Sequence, residues 1–526
     1  MVGRAGAAIG LASLLLLLAT RGAQAQDRPP TRFAATIRVP ADAATIQQAV
    51  DRVRPGGLVL ISPGRYDEGV EVATPYVTIR GLDRNRTIID ADGSDDAILV
   101  VGADGVVVQN LTVTGAAADG LAWSDASGFV ASFVTALGNG RDGFSATRSG
   151  HGQFDHSFAG GNARAGFSLS SCAPCDTVVT EVTATGNGVG YLGVNTGGDL
   201  SVVNGEWYGN GAGIVTQSRD DVVGAPGSAT VIAGNSVHDN GGPSAASPAW
   251  VGAGIAVQGQ RADLVVGNLV EDSTAYGIAV VPTASSNLWL TSDTTVRSNI
   301  VRRSGVADLA LGAPTEGGDC FDANEATTSQ PPAIETLFPC EGVRPFPMGG
   351  SFAPTISALA RAASSEPVRG NLAGAPRQPQ MPGDPAQAPP LIAVGGENVP
   401  QPFTIRDPAA IAAAHGPTVG KEIQFMGVPL ATSWGGVLIG LYGSILPFAL
   451  YVTWLAVAMW DLIRQESASL PHRTRWMLIV LIVPFIGPLL YFAFGGSPIP
   501  RQLRLVLTVG GIVVYLVFFA VGGLLS

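Results

Sequence analysis

Asn139-Gly140-Arg141-Asp142-Gly143-Phe144 is followed 23 residues later by Asn162-Ala163-Arg164-Ala165-Gly166-Phe167. Working outward, the glycine–apolar step recurs at Gly120-Leu121, Gly143-Phe144, Gly166-Phe167, Gly190-Tyr191, Gly213-Ile214, Gly254-Ile255 and Gly277-Ile278, with spacings of 23, 23, 24, 23, 41 and 23. An asparagine stands just ahead of four of these steps, at Asn139, Asn162, Asn187 and Asn210. Short β-branched runs such as Val106-Val107-Val108, Val178-Val179, Val202-Val203 and Leu264-Val265-Val266 lie between. A fixed period with short strands and no helical pattern predicts a solenoid of β coils, each unable to bury its apolar face alone. Inward residues then alternate with outward ones. Asparagines at matching positions stack into a hydrogen-bonded ladder. A leucine-rich repeat is the other architecture of similar period, but its leucine-and-asparagine consensus is missing. About eleven coils at ~4.8 Å each predict a rod on the order of 50 Å long. The long interval predicts an insertion at roughly 219–250.

The start of the rod reads as a cap. Ile46, Val50 and Val53 sit at helical spacing, and Pro55-Gly56-Gly57 stops the run. Leu58-Val59-Leu60-Ile61, Pro63-Gly64-Arg65-Tyr66 and Val77-Thr78-Ile79 follow. This order resembles the N-terminal cap of the right-handed parallel β-helix superfamily, which includes pectate lyases and polygalacturonases, and the coils resemble its repeats over 37–315. The resemblance implies an all-β right-handed parallel β-helix. It also implies cleavage, epimerisation or binding of polysaccharide along one face, without choosing among them.

Charged residues make up 13% of the 526 residues and the net charge is -11, which argues against one ordinary soluble globule and against a nucleic-acid partner. Lys421 is the single lysine, and the arginine bias with Ala/Gly richness suggests a high-GC bacterium. Residues 1–25 read as a signal peptide: Arg4, an apolar run with leucines at Leu14 to Leu18, and Ala23-Gln24-Ala25 before a cut ahead of Gln26. An uncleaved anchor helix is the alternative. Three charge-free stretches at about 435–459, 476–494 and 505–525 read as membrane helices, with Trp434, Trp460 and Trp476 at their ends. With the coils outside, the C-terminus lies in the cytoplasm and the chain is a multi-pass cell-membrane protein. Trp460-Asp461-Leu462-Ile463, Arg473 to Trp476 and Pro484-Phe485-Ile486-Gly487-Pro488-Leu489-Leu490-Tyr491 resemble the N-terminal membrane region of cardiolipin synthases and phospholipase D-type enzymes, over 460–495. The catalytic H-x-K-x4-D of that family is absent: no histidine stands two places before Lys421, where Val419 lies. The resemblance thus implies a membrane module and not a phospholipid synthase. Residues 350–425, rich in Pro, Ala and Gly, read as an extended stalk, and 316–349 as a cap loop closed by a Cys320–Cys340 disulfide.

Candidate chemistry is sparse. With the apolar residue of each glycine step pointing in, Ala122, Ser124, Ser145, Thr147, Ser168, Ser170, Val215, Gln217, Ala256 and Gln258 point out, predicting a shallow small-polar surface without an acid or a base. Arg141 and Arg164, one repeat apart, should share an edge and are substrate-binding candidates for an acidic glycan or phosphate. Gly150-His151-Gly152 matches a short element of polygalacturonases, but no Asn-Thr-Asp precedes it and Asp220-Asp221 come after it. Asp155 and His156, with Arg141, are the catalytic candidates of an acid–base reading, although neighbours on a strand point to opposite faces. Cys172-Ala173-Pro174-Cys175 reads as a local disulfide; zinc would need two more ligands, such as His151 and His156. His238, Asp239, Glu271 and Asp272 read as solvated turn positions. Asp319, Asp322 and Glu325 offer oxygens for Ca²⁺ without a recognised loop spacing, so no cofactor is assigned. The function read from these features is a membrane-anchored, non-catalytic module for cell-envelope carbohydrate or a partner protein. The alternative is a polysaccharide lyase, epimerase or hydrolase.

Overall fold

The computed structural model describes residues 35–241, 252–342, 350–362 and 375–390, with isolated positions at 406, 409–410, 455, 458–462, 476, 480 and 490–492. The signal segment and most of the three expected spans lie outside the described residues. No helix among those residues is long and apolar enough to cross a membrane.

One coil shows how the repeat folds. Leu121–Ser124 forms a strand of sheet C, Val130–Ser132 one of sheet A and Thr135–Leu137 one of sheet B; Asp142–Thr147 then returns to sheet C. Each strand pairs in parallel with its counterpart one coil away. The glycine steps therefore lie in register: Leu121 on Phe144, Phe144 on Phe167, Phe167 on Tyr191 and Tyr191 on Ile214. Sheet B has ten strands, and the continuous strand Val189–Val203 passes from sheet C to sheet A, so these two merge into one 22-stranded sheet. The chain is a parallel β-helix. The 41-residue interval carries its own strands, Ser228–Ala233 and Ser236–His238, so the expected insertion at 219–250 includes the sheet A and sheet B strands of one coil.

Strand residues pointing in build the core. Trp123, Phe129, Phe144, Phe154 and Phe167 are fully buried, with the rings of Phe144 and Phe167 stacked at 4.6 Å. Burying one such side chain is worth about 1.5–3 kcal/mol. Gly152 is required here, because a Cβ would come within 2.1 Å of the Phe129 ring. At the corner between sheets B and C, Asn139 donates to Asn162 at 2.9 Å, Asn162 to Asn187 at 2.9 Å, Asn187 to Asn210 at 3.0 Å and Asn210 to Asn240 at 3.4 Å. The ladder read from the sequence thus exists and runs one rung further. A second ladder, Asn235, Asn268, Asn299 and Asn324, links rungs at 2.9 Å at the corner between sheets A and B.

Both ends of the core are closed. Helix Ile46–Arg52 buries Ile46, Ala49 and Val50 over the first coils. The Thr45 side chain accepts from the Gln48 amide, and the Glu68 carboxylate accepts from the amides of Ile46 and Gln47, satisfying N–H groups that a helix start leaves unpaired. At the far end Ile334 and Phe338 are buried, Cys320 is bonded to Cys340, and Glu335 accepts from Asn324 at the end of the second ladder.

Two outer faces differ from the sequence reading. The outward row of sheet C was expected to be a shallow polar surface. Ala122, Ser145, Ser168, Val215, Ala256 and Gln258 are instead buried, while Ser124, Thr147, Ser170 and Gln217 stay partly exposed. Val215 and Ala256 join Leu192, Val194, Tyr276, Ala279 and Val281 in a second apolar cluster outside the coils. Alternation gives the direction of a side chain but not what lies over it. Here Asn195 holds the loop after Gln217 through the carbonyls of Arg219 and Val222, and Thr355 of helix Phe352–Ala362 donates to the carbonyl of Ala313. The second difference concerns the expected stalk. Residues 375–390 lie against the first coils: Gln378 exchanges two hydrogen bonds with Asn85, and Met381 donates its amide to Asn110. The Arg406 amide donates to Asn204.

Candidate functional site

Five successive corners between sheets A and B begin with a non-glycine residue in the left-handed region. Asn110, Phe133, His156, Glu181 and Asn204 have φ of 55°, 55°, 43°, 51° and 56° in successive coils. Such a conformation costs an L residue steric energy and favours Gly, Asn and Asp. Phe133 and His156 are thus conspicuous at this column. The two rings stack at 4.6 Å and 15°, with His156 exposed and Phe133 half-buried.

His156 sits between two carboxylates. Its Nε2 is 2.5 Å from Oε2 of Glu181 and its Nδ1 is 3.8 Å from Oδ2 of Asp155. The neighbours were expected on opposite faces. Asp155 ends its strand, Gln153–Asp155, and the chain turns at His156, which swings the ring back to the carboxylate. Hydrogen bonding to Asp155, with the charges of Asp155 and Glu181, holds the imidazole above its ordinary value against burial. Oδ2 of Asp155 also accepts from Gln153 at 2.6 Å, while its Oδ1 is buried without a partner among the described residues. The main-chain carbonyl of His156 accepts from Arg84 at 3.0 Å. This corner therefore gathers an aromatic platform, an imidazole and two carboxylates beside a buried guanidinium.

The other sequence candidates fall elsewhere. Arg141 and Arg164 do share the edge before sheet C, and each forks onto the aspartate one coil back. Arg141 donates to Asp119 at 2.7 and 2.5 Å, and Arg164 to Asp142, whose side chain is fully buried. Bonding to Asp119 raises the Arg141 pKa; for Arg164, burial works against the charge and Asp142 outweighs it. Both forks rest on buried aspartates, while the arginine side chains themselves stay about half exposed, at 49% and 48%. The signal was in the sequence as Asp-to-Arg spacings of 22 residues, about one coil. Cys172 is bonded to Cys175, so the zinc set is excluded, and His151 Nδ1 lies 3.2 Å from Asp176 instead. His151 is itself a left-handed corner residue, which with the tight site at Gly152 gives the Gly-His-Gly run a structural origin.

Asp220 accepts from Asn287 and Trp289 and from Ser285, pinning the loop after Gln217 to the hairpin Thr283–Trp289; these bonds pull its pKa down to about 2. Asp221 pairs with Arg219 at 2.7 Å. On sheet B, His238 bonds Asp239 at 2.8 Å, and Arg303 joins Glu271 and Asp272 at 2.9 and 2.8 Å. Asp319 points inward, accepting from Thr291 and Thr294, while Asp322 faces out toward Arg297; Glu325 pairs through its backbone with Ile300. These three do not converge on one point, and no set of three metal-ligating side chains comes together among the described residues.

Sequence reading missed Arg80 and Arg84. Each is 1% exposed; Arg80 has no charged neighbour in sequence, and Asp83-Arg84-Asn85-Arg86 has the look of an ordinary solvated turn.

Comparison with known proteins bears on two parts of the chain. A family model described as phospholipase D-nuclease N-terminal matches residues 453–496, the segment whose resemblance was read at 460–495. Within it Tyr491 donates to Asp461 at 2.7 Å, and Ala458, Leu462, Val480 and Phe492 are buried around the pair. No curated protein matches the chain. Among solved structures, the A-module of mannuronan C-5 epimerase AlgE4 from Azotobacter vinelandii is 17% identical, with 51% of this chain and 86% of that one covered and a TM-score of 0.38. An alginate lyase from Paenibacillus sp. str. FPU-7 is 15% identical, covers 53% and 98%, and has a TM-score of 0.34. Pectate lyase Pel9A is 13% identical, covers 57% and 78%, and has a TM-score of 0.32. These likenesses are of general architecture, and the functional reading is left to the residues of this chain.

Proposed function

We propose that this chain is a membrane-tethered, extracytoplasmic β-helix that binds cell-envelope carbohydrate, at the corner between sheets A and B, without converting it. The observation that carries the reading is the stacked Phe133–His156 pair flanked by Asp155 and Glu181. An aromatic face with polar groups around it suits a surface that is apolar at its centre and hydroxylated at its rim, as a sugar ring is. The outward row of sheet C supports the non-catalytic part: Ala122, Ser145, Ser168, Val215 and Ala256 are neutral and buried. The tether rests on the match over 453–496 and on the charge-free stretches around it.

A second reading, a polysaccharide lyase, epimerase or hydrolase, is favoured by one feature of the same corner. Asp155 and Glu181 raise the His156 pKa, the direction that favours a general acid, and one oxygen of Asp155 has no partner among the described residues. The full chain in detergent micelles, on a glycan array with a parallel turnover assay, separates the two. Binding without turnover, weakened at least tenfold by Phe133→Ala, is the expected result. Turnover abolished by Asp155→Asn would establish the enzyme reading. Silence on every glycan would remove both and leave a protein partner.

A further inference from the structure

Arg80 and Arg84 carry their charges under the strap. Arg80 projects outward from sheet A. Its guanidinium donates to Gln109 at 3.1 and 2.9 Å, and to the carbonyls of Pro385, Ala388 and Pro389 at 3.2, 2.7 and 2.8 Å. Arg84 donates to the Thr135 hydroxyl at 2.8 Å and to the carbonyls of Val134, His156 and Pro379 at 2.8, 3.0 and 3.0 Å. All these acceptors are neutral. Asp83, the adjacent carboxylate, receives the side chain of Gln380 instead. The contrast with Arg141, Arg164 and Arg303 is direct, since each of those forks onto a carboxylate.

A guanidinium taken out of water loses several kcal/mol of hydration, and neutral carbonyls return less than an anion does, because charge-assisted bonds are roughly twice as strong. Burial lowers the pKa of both groups, that of Arg84 to about 9. Of the carbonyls that hold them, those of Pro379, Pro385, Ala388 and Pro389 belong to a proline-rich segment, and the strap is read through its main chain, that of Gln378 included, and the Gln380 side-chain amide. An extended polymer bearing anions would meet the same donors more strongly.

We propose that Arg80 and Arg84 floor a binding site for the carboxylate or phosphate groups of an acidic glycan, and that residues 375–390 occupy this site in cis until such a polymer displaces them. This rests on the carbohydrate reading above and names its ligand class. The site adjoins the Phe133–His156 corner through the bond from Arg84 to the His156 carbonyl, so one chain of sugars could span both.

The test uses the full chain in detergent, with residues 375–390 replaced by a Gly/Ser linker of equal length. Calorimetry is run against polygalacturonate, a glycerol-phosphate teichoic acid and neutral dextran. The replacement is expected to tighten binding of polygalacturonate or the teichoic acid at least tenfold, with affinity falling as salt rises, and not to affect dextran. Adding R80Q and R84Q should remove the gain, with far-UV circular dichroism checking the fold. The proposal falls if the replacement brings no gain, or if the gain survives R80Q and R84Q. Dextran bound as tightly as the acidic polymers would overturn this site and leave the carbohydrate reading standing. Without any arginine substitution, saturating polygalacturonate or teichoic acid should speed tryptic cleavage of the wild-type chain after Arg377, which lies in the strap. Unchanged cleavage with both bound polymers would also overturn the displacement.

Discussion

At the scale of single residues, what the coils bury decides what each charge can do. Asp263 lies inside the rod, accepting from the Thr230 amide at 2.9 Å and the Thr216 hydroxyl at 3.3 Å. Burial outweighs those bonds and pushes its carboxyl up to about 7, with the charge of Asp319 adding to the rise. The unfolded chain releases this proton near pH 4, the folded chain only near pH 7. Asp263 therefore contributes stability in full below about pH 4 and loses it as pH climbs through 7. Asp263→Asn has no proton to lose. It should equal the parent at pH 4 and exceed it at pH 8 by on the order of 4 kcal/mol, read as a higher Tm in scans at the two pH values. A parent as stable as the variant at pH 8 would show that the carboxyl is ionised without cost. Neither Asp263 nor Arg84 stood out in the sequence, because a charge in a turn looks solvated until the fold places it. Arg141 and Arg164 stood out for their spacing, which was correct, yet spacing alone did not reveal the buried aspartates beneath them.

The element scale is where the sequence was most legible. A step that recurs every 23 residues fixes register, and register brings Asn139, Asn162, Asn187 and Asn210 into line. The second ladder was illegible because its rungs are 33, 31 and 25 residues apart, spread by the enlarged corners. Each rung satisfies buried main-chain groups. Asn187 accepts from the Asn162 amide and side chain, and donates to the carbonyls of Ala159 and Thr185 and to Asn210. Asn187→Ala strands all of these, and each buried group left unmade costs about 1–3 kcal/mol. A loss on the order of 3 kcal/mol is expected in urea unfolding. Asn324→Ala, at the partly exposed end of the second ladder, should cost distinctly less. Equal losses would mean that the ladders carry little and that the apolar core sets register unaided.

For the whole molecule, a coil meets only the coils beside it, so stability is a sum of local terms rather than one global figure. The strap is the exception: it ties 375–390 to coils nearly 300 residues earlier, the longest hydrogen-bonded link described in the chain. The C-terminal cap is the ordinary case. The Cys320–Cys340 bond closes a span of 20 residues over Ile334 and Phe338, and closing such a loop is worth about 3 kcal/mol in the chain-entropy model. Replacing both cysteines by alanine should loosen the cap and the coil it covers. Amide hydrogen exchange in Thr295–Arg297 and Ala307–Leu311 should then rise at least tenfold, while Leu121–Ser124 and Asp142–Thr147 stay as protected as in the parent. Exchange rising evenly along the rod would mean that the coils unfold as one unit. In that case displacing the strap at one end would be felt at the other, and a ligand on Arg80 and Arg84 would act on the entire rod.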